Sequence, residues 1–300
     1  MTTLIIKVKT LTPLIMYRAG KTKPELRASS FRGILRYWYR AVLGNRTQDR
    51  SQLFEQESKV FGSTQQGSTI TVRINHNLQA SPQLLTVLPQ RLKHVGFSPG
   101  SSFSIRLSVH PLLQTDLFNP NSDFTKAVFL MCHFGGVGYR SRRGSGNLEV
   151  VDAAMQLGEY LLGQRYTTHA NLKTYLTDIA NLVSNVTPPR MSSPPPFSIF
   201  TPTTAVVLLG ETTHPTYEDA FEELWSVSGP YHNKKGAFGD INPRRASAIH
   251  MRVARCQAGY VAQQTILYSG RGNWNEMKLY IEHCQRNGFD VIYGDWRGWR

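Results

Sequence analysis

The sequence has 300 residues, 40% of them hydrophobic and 18% charged, so it can form a buried core and is not a disordered polymer. Its 34 Lys and Arg against 20 Asp and Glu give a net charge of +14, which indicates nucleic acid or an anionic membrane surface as the partner. No stretch approaches the roughly 18 apolar residues of a transmembrane helix, and Cys132, Cys256 and Cys284 are too widely spaced for a disulfide framework or a zinc site. We therefore expect a reduced, cytoplasmic location, with nucleic acid rather than a membrane as the partner.

The first half of the chain predicts six elements in the order β-α-β-β-α-β. Apolar residues alternate with polar ones in the strands, and Gly44 and Gly135 are typical helix ends. The predicted elements are a strand around 6–8, a helix from Ser29 or Ser30 to Gly44, strands over 70–74 and 103–109, a helix over 125–134 and a strand over 148–151. This order is that of a ferredoxin-like fold.

The second half repeats the same order after a proline-rich stretch, which holds six of the 16 prolines between Pro188 and Pro202. Its predicted elements are a strand over 204–210, a helix over 217–227, strands over 249–255 and 261–267, a helix after a cap at Asn273, and a strand over 289–294. The predicted fold class is α+β, with two tandem ferredoxin-like βαββαβ domains. The predicted domains are 1–152, with the glycine-rich loop, and 203–300, joined by a helical segment and proline-rich linker over 153–202.

The first predicted helix carries a row of arginines. Arg32, Arg36 and Arg40 recur every four residues on one face, and no acid lies between Leu26 and Gln48. Like charges at this spacing destabilise a helix by about 0.2–0.5 kcal/mol per pair. An anion that bridges them removes this penalty, and a phosphate suits the arginine fork. The pattern favours phosphate binding over a merely solvated helix face.

The stretch GGVGYRSRRGSGNL (135–148) combines five glycines, at 135, 136, 138, 144 and 146, with Arg140, Arg142 and Arg143. It lacks the G-K-[ST] ending of a P-loop and does not follow a strand as a dinucleotide-binding loop does. Glycine lets backbone N–H groups approach a phosphate closely. The stretch predicts a phosphate cradle with three arginines beside it, and Tyr139 stacks on a base or anchors the loop. The alternative is a mobile surface turn.

A third basic stretch covers residues 233–255. It carries six cations against the single acid Asp240, namely Lys234, Lys235, Arg244, Arg245, Arg252 and Arg255. RNA and a protein neighbour are equally good partners for such a stretch.

The sequence holds no strong catalytic or metal-binding constellation. His133 beside the glycines is a candidate general base for RNA cleavage, and Asp240 is a candidate for positioning a metal or a 2′-hydroxyl. A structural histidine and an ordinary loop aspartate are the favoured interpretations of both. We expect no cofactor, no metal and no small-molecule substrate.

Together, ELRASSFRGILRYWYR (25–40), FGS (61–63) and the glycine-rich stretch resemble the motifs of CRISPR-associated RAMP proteins. They are most similar to those of an RNA-binding subunit of the type III-B Cmr effector complex. Either Glu55 or Glu57 would fill the family's glutamate position before FGS. The segment RRASAIHMRV is similar to a late family motif, although Ala248 stands where the family usually has proline.

The resemblance implies a subunit of a crRNA-guided effector that contacts the 3′ part of the guide and the paired target RNA, beside other RAMP and Cmr subunits. Carried over by position, it assigns RNA contacts to the first helix, the glycine-rich stretch and the third basic stretch. The predicted contacts are Arg27, Ser30, Arg32, Arg36, Arg40, Gly135, Gly136, Gly138, Arg140, Arg142, Arg143, Gly144, Ser145, Lys234, Lys235, Arg244 and Arg245.

Three functions compete. The favoured hypothesis is a non-catalytic RNA-binding subunit. The second is a RAMP endoribonuclease that cleaves crRNA precursor or target RNA, and the third is a basic scaffold that contacts only protein neighbours.

Overall fold

The computed structural model describes residues 2–18, 23–47, 49–76, 81–87, 92–110, 116–184, 195–231, 234, 236–241, 244–270 and 273–299. The strands of the first half are β1 (Thr3–Thr10), β2 (Ile70–Asn75), β3 (Ser81–Val87), β4 (Leu92–Gly96), β5 (Ser102–Val109), β6 (Leu148–Ala153), β7 (Gln156–Leu157) and β8 (Tyr160–Leu161). The helices of this half are α1 (Ala28–Leu43), α2 (Arg50–Phe61), α3 (Asp123–His133) and α4 (His169–Val183).

The strands of the second half are β9 (Ala205–Gly210), β10 (Asp240–Ile241), β11 (Arg244–Arg245), β12 (Ile249–Cys256), β13 (Gly259–Leu267) and β14 (Phe289–Tyr293). Its helices are α5 (Tyr217–Ser228) and α6 (Trp274–Arg286), with short 3-10 turns at Gly229–Tyr231 and Gly236–Phe238.

Two four-stranded antiparallel sheets organise the molecule. Their strand orders are β2-β5-β1-β6 and β12-β13-β9-β14, and in each the first strand of the set lies between the third and the fourth. This order is consistent with the predicted ferredoxin-like arrangement. The α+β class is confirmed, whereas the domain boundaries after 152 and 202 stay predictions.

Local sequence explains most elements. In β1 the apolar residues at alternate positions, Leu4, Ile6 and Val8, are buried while Lys7 and Lys9 face outward. Asn273 caps α6 as predicted, accepting a hydrogen bond from the Glu276 N–H. The predicted cap of α1 is wrong: the helix begins at Ala28 after an extended Arg27, without a side-chain cap. The Arg27 N–H donates instead to the Met16 sulfur at 3.1 Å.

Helix α2 was not predicted, because its twelve residues, RSQLFEQESKVF, are mostly polar. Its start follows a strong local signal, since Asp49 accepts hydrogen bonds from the N–H groups of Ser51 and Gln52. Its buried residues include the carboxylate Glu57, which no apolar periodicity reveals.

The inner strand β9 of the second sheet is buried on both faces. Val206 and Leu208 of β9 pack into the core beneath α5 and α6. Ala205, Val207 and Leu209 join the core that continues into the first sheet and α4. The two sheets therefore share apolar packing, and α4 contributes to it rather than lying free of the core. Within the described part of the chain, no helix has the length and apolarity needed to cross a membrane.

Candidate nucleic-acid interface

The arginine row of α1 faces α2. Glu57 of α2 is 2% exposed, and its carboxylate pairs with Arg36 and, at 3.2 Å, with Arg40. Arg32 donates to the carbonyl of Phe61 at the end of the same helix. A buried acid thus offsets part of the charge of the row, one carboxylate against three arginines, so a bound anion is not the only group that reduces the repulsion. Because Glu57 lies outside the 26–48 window, the local sequence did not reveal it.

The structure also distinguishes between the two glutamates that precede FGS. Glu55 is exposed and pairs with Lys59 one turn along α2, and this hydrogen bond lowers the pKa of its carboxyl. Glu57 points the other way, into the α1–α2 contact. Position 57 is therefore the one that organises the arginine row.

The glycine-rich loop, defined as residues 135–148, is bonded to the rest of the protein at several points. The Tyr139 N–H donates to the Ile15 carbonyl at 2.7 Å, and the hydroxyl of the buried Ser145 donates to the Pro13 carbonyl at 2.7 Å. Toward the second sheet, Arg142 donates to the Ser247 carbonyl and Arg143 to the Phe238 carbonyl. The loop is a fixed connection between the two sheets.

A single buried arginine holds both ends of this loop. Arg252 of β12 is 4% exposed and donates to the carbonyls of Gly135, at 2.7 Å, and Leu148, at 2.5 Å. Asn147 adds a bond to the same strand, accepting from the Val253 N–H at 2.9 Å. The sequence placed Arg252 in a basic stretch with RNA and protein as its candidate partners, whereas the structure places it inside the protein.

Two loop glycines are explained by protein contacts. Gly144 has φ +81°, and a Cβ there would collide with the ring of Phe221. At Gly138, with φ +87°, a Cβ would lie 2.5 Å from the Ile15 carbonyl oxygen. Tight packing against neighbouring elements accounts for these glycines before any ligand is considered.

A groove of about 580 Å³ lies between α1 and the exposed side of the glycine-rich loop. It brings together five of the predicted contacts, namely Arg27, Ser30, Gly136, Gly138 and Arg142. Sequence reasoning missed Tyr17, Arg18 and Tyr37, which line it as well. Among the described residues that line the groove, three are arginines and none is acidic. We call this site the α1–loop groove.

Aromatic side chains form part of the groove wall. Tyr139 is 47% exposed and its ring lies edge-on to His94, at 5.4 Å between centroids. The Arg142 guanidinium lies 5.0 Å from the centroid of the Tyr37 ring, and the Tyr37 hydroxyl is 3.0 Å from His250 Nε2. Burial, and then proximity to Tyr139, raise the pKa of Tyr17. Arginines beside half-exposed rings are the combination that single-stranded nucleic acid uses.

The remaining predicted contacts lie elsewhere or are structural. Arg32 and Arg36 line a different depression beside Phe54 and Phe61. Arg143 donates to the Phe238 carbonyl in the 3-10 turn Gly236–Phe238, and burial lowers the pKa of its guanidinium. Lys234 pairs with Glu276 at 3.0 Å. Lys235 lies outside the described residues, and of Asp240, Arg244 and Arg245 only the backbone, in β10 and β11, is described. Arg140 lies in the loop with φ 60°.

A family model described as the RAMP superfamily matches residues 7–149, from β1 to β6. Over these residues the chain is similar to the RAMP superfamily. The match contains the arginine row and the glycine-rich loop. It therefore confirms the resemblance that these sequence motifs indicated.

Relatives of known name extend this finding. The chain is 32% identical over 154 residues to the CRISPR system Cmr subunit Cmr1-1 of Pyrococcus furiosus, a match that covers 46% of this chain and 44% of that relative. It is 29% identical over 181 residues to Cmr1-2 of the same organism, covering 49% of this chain and 94% of the relative. The chain thus spans less than half the length of the first of these relatives.

Solved structures share the fold over nearly the whole chain. The crystal structure of Cmr1 from Pyrococcus furiosus, in its apo form, matches with a TM-score of 0.71 and 16% identity over 98% of this chain and 99% of that chain. A chain of the cryo-EM structure of the type III-B Cmr-beta complex bound to cognate target RNA matches with a TM-score of 0.64 and 9% identity over 95% and 99%. At these identities the likeness establishes the fold.

The candidate base His133 is buried in the protein core. Its Nε2 is 3.2 Å from the Leu162 carbonyl oxygen and 3.0 Å from the Tyr175 hydroxyl. Burial, with the nearby Arg252 charge, lowers the pKa of the imidazole to about 3. A neutral, buried imidazole with these partners is consistent with the favoured interpretation of a structural histidine.

The lowered pKa of His133 predicts a pH dependence of stability. Below about pH 6.5 the unfolded chain binds a proton at His133 that the folded chain does not. We therefore expect the free energy of unfolding to fall as the pH drops from 6.5 towards 3, where folded His133 titrates. Urea unfolding at pH 7, 6 and 5 should show a smaller loss in His133→Asn than in the wild type. The control variant is His76→Asn, at an exposed histidine. Its free energy of unfolding should change with pH as that of the wild type does. Equal slopes in all three proteins would contradict the assignment.

Proposed function

We propose that this chain is a non-catalytic, RNA-binding subunit of a type III-B Cmr effector, and that the α1–loop groove is its RNA-binding site. In this role it contacts the 3′ region of the crRNA and the target RNA paired with it, beside other Cmr subunits. The similarity to Cmr1 relatives supports membership of a Cmr complex. The composition of the groove supports RNA binding. We further propose that the two sheets belong to two tandem ferredoxin-like domains.

The observation that carries the proposal is the composition of the groove wall. Arg18, Arg27 and Arg142 supply positive charge, while Tyr139 presents a half-exposed ring. Arginines neutralise phosphates without reading sequence, and an aromatic ring stacks on any base. In a guided complex, base pairing supplies the sequence specificity, so contacts of this general kind are sufficient.

RNA binding by the groove is tested with Arg27→Ala and Tyr139→Ala. Both side chains are exposed, so the fold should tolerate each change. We expect Tyr139→Ala to weaken binding of a single-stranded RNA by about tenfold. Arg27→Ala should lower the salt slope of binding by about one. Fluorescence anisotropy between 50 and 300 mM salt measures both.

The control is Arg286→Ala, which removes one exposed cation from α6. It should leave the RNA affinity near the wild-type value. If Arg27→Ala and Tyr139→Ala both bind RNA like the control, the groove is not the RNA site. The double variant Arg142→Ala/Arg143→Ala is a weaker test, because both side chains also donate to carbonyls of the second half of the chain, at Ser247 and Phe238.

Gly33 gives an independent test of close approach to α1. It is an exposed residue inside the helix, it lines the groove, and a Cβ added to it meets no atom within 4 Å. Gly33→Ala should therefore raise the free energy of unfolding by about 0.5–1 kcal/mol. Gly33→Met should keep the fold and weaken RNA binding, because its side chain fills the groove. Wild-type affinity in Gly33→Met would contradict the proposal.

The non-catalytic role is proposed because His133 is enclosed by Leu162 and Tyr175. Incubating the purified chain with crRNA precursor and with target RNA should leave both intact on a denaturing gel. Cleavage that disappears in Asp240→Ala would overturn this part of the proposal and favour a RAMP endoribonuclease.

A further inference from the structure

A second cavity, of about 240 Å³, lies between β6 of the first sheet and β12 of the second. It shares no lining residue with the α1–loop groove. The helix α4 contributes Leu172 and Leu176 to its apolar wall, and Tyr166 lies before them. We call it the inter-sheet pocket.

Two neighbouring polar side chains in this pocket are not fully hydrogen-bonded. Arg252 and Gln263 are opposite one another in the β12–β13 pair, so their side chains share a face of the sheet. Arg252 uses its terminal nitrogens on the glycine-rich loop, and Gln263 uses its amide N–H on the His133 carbonyl at 2.9 Å. Arg252 Nε and Gln263 Oε1 are buried and have no partner among the described residues.

Unpaired buried polar atoms are costly, by about 1–3 kcal/mol for each atom. A bound water can satisfy a donor and an acceptor that lie side by side. The positive charge around this pocket favours an anionic ligand over a water molecule. Its lining carries four cations, Lys9, Arg165, Arg252 and Arg255, against the single acid Glu149, which pairs with Arg255 at 3.3 Å.

We propose that the inter-sheet pocket binds a small phosphate monoester that also carries a hydroxyl group, such as a mononucleotide or the phosphorylated end of an RNA strand. Arg252 Nε donates to a phosphate oxygen, and Gln263 Oε1 accepts from the hydroxyl. Lys9 and Arg165, both exposed, supply the charge at the entrance. The volume is suited to a small phosphate-bearing group at the open mouth of the pocket and excludes a folded nucleic acid.

The first experiment titrates the full chain with 5′-AMP in a calorimeter at constant ionic strength, with adenosine as the matched ligand without phosphate. We expect saturable binding of 5′-AMP and none of adenosine. The variant Lys9→Ala/Arg165→Ala should bind 5′-AMP at least about tenfold more weakly, whereas Arg286→Ala should bind it like the wild type. Filling the pocket with Ala254→Leu should abolish binding, with circular dichroism to show that the variant is folded.

A second pair of ligands distinguishes the two sources of the phosphate. A five-nucleotide RNA with a 5′-phosphate is compared with the same RNA ending in a 5′-hydroxyl, both on the Tyr139→Ala background, where the groove is weakened. A strand end is the ligand if the phosphorylated RNA competes with 5′-AMP and the hydroxyl form does not. A free mononucleotide is the ligand if neither RNA competes.

The proposal is overturned if 5′-AMP does not bind, or if its affinity is unchanged in both Lys9→Ala/Arg165→Ala and Ala254→Leu. It does not depend on RNA binding in the groove, since Tyr139→Ala should leave the affinity for 5′-AMP unchanged. Failure of one site therefore leaves the other untouched.

Discussion

Replacing Arg252 with methionine is expected to lower the free energy of unfolding by about 3 kcal/mol or more. The change removes two charge-assisted hydrogen bonds and leaves the carbonyls of Gly135 and Leu148 buried without them. A charged hydrogen bond contributes about 1.5–3 kcal/mol, and each orphaned buried group costs about 1–3 kcal/mol. Methionine keeps most of the volume of the arginine side chain. The loss of stability therefore measures the missing hydrogen bonds and not the creation of a cavity.

The neighbouring Arg255 provides the matched control. It lies three residues along β12, is exposed, and pairs with Glu149 at 3.3 Å. Arg255→Met should cost no more than about 1 kcal/mol, the range of a surface ion pair. Urea unfolding followed by circular dichroism measures both variants. Similar losses of stability in Arg252→Met and Arg255→Met would mean that the hydrogen bonds from Arg252 to the glycine-rich loop do not stabilise the fold.

Replacing Glu57 with glutamine is expected to lower the free energy of unfolding by about 2 kcal/mol. Glutamine keeps the shape of the side chain but removes the charge that offsets Arg36 and Arg40. The arginines are 32% and 46% exposed, so solvent reduces the cost below that of a fully buried pair. Higher salt should narrow the difference, because screening weakens the repulsion that remains between the arginines.

A double-mutant cycle isolates this interaction. Arg36→Met and Glu57→Gln should be non-additive, since each removes the same ion pair. Glu55→Gln is the control, because Glu55 is exposed and, among the described residues, its ion-pair partner is Lys59 on its own helix. Additive losses in the cycle would contradict the role assigned to Glu57.

Strand and helix patterns were predictable wherever one side of an element faces a core. The alternation in β1 and the apolar face of α1, with Phe31, Leu35 and Trp38 buried, follow directly from local periodicity. Helix α2 was not predicted, because its buried residues are determined by tertiary packing and do not form an apolar stripe in the sequence. The hairpin β3–β4 was not predicted either.

The candidate site was predictable in part. The glycine-rich loop and the start of α1 were both singled out, and the structure brings Arg27, Ser30, Gly136, Gly138 and Arg142 to one groove. Tyr17 and Tyr37 were not predicted as site residues, because the sequence around an isolated aromatic residue does not indicate whether its ring is exposed. Only the folded chain places them beside the arginines.

The sequence alone determined that this is a basic α+β protein with RAMP motifs, because composition, periodicity and motif spacing are local properties. Only the tertiary structure decided which basic residues face outward. Arg36 meets Glu57 from 21 positions away, and Arg252 reaches Gly135 from 117 away. Burial and pairing depend on residues distant in the chain, so a count of charges overstated the number of arginines free for RNA.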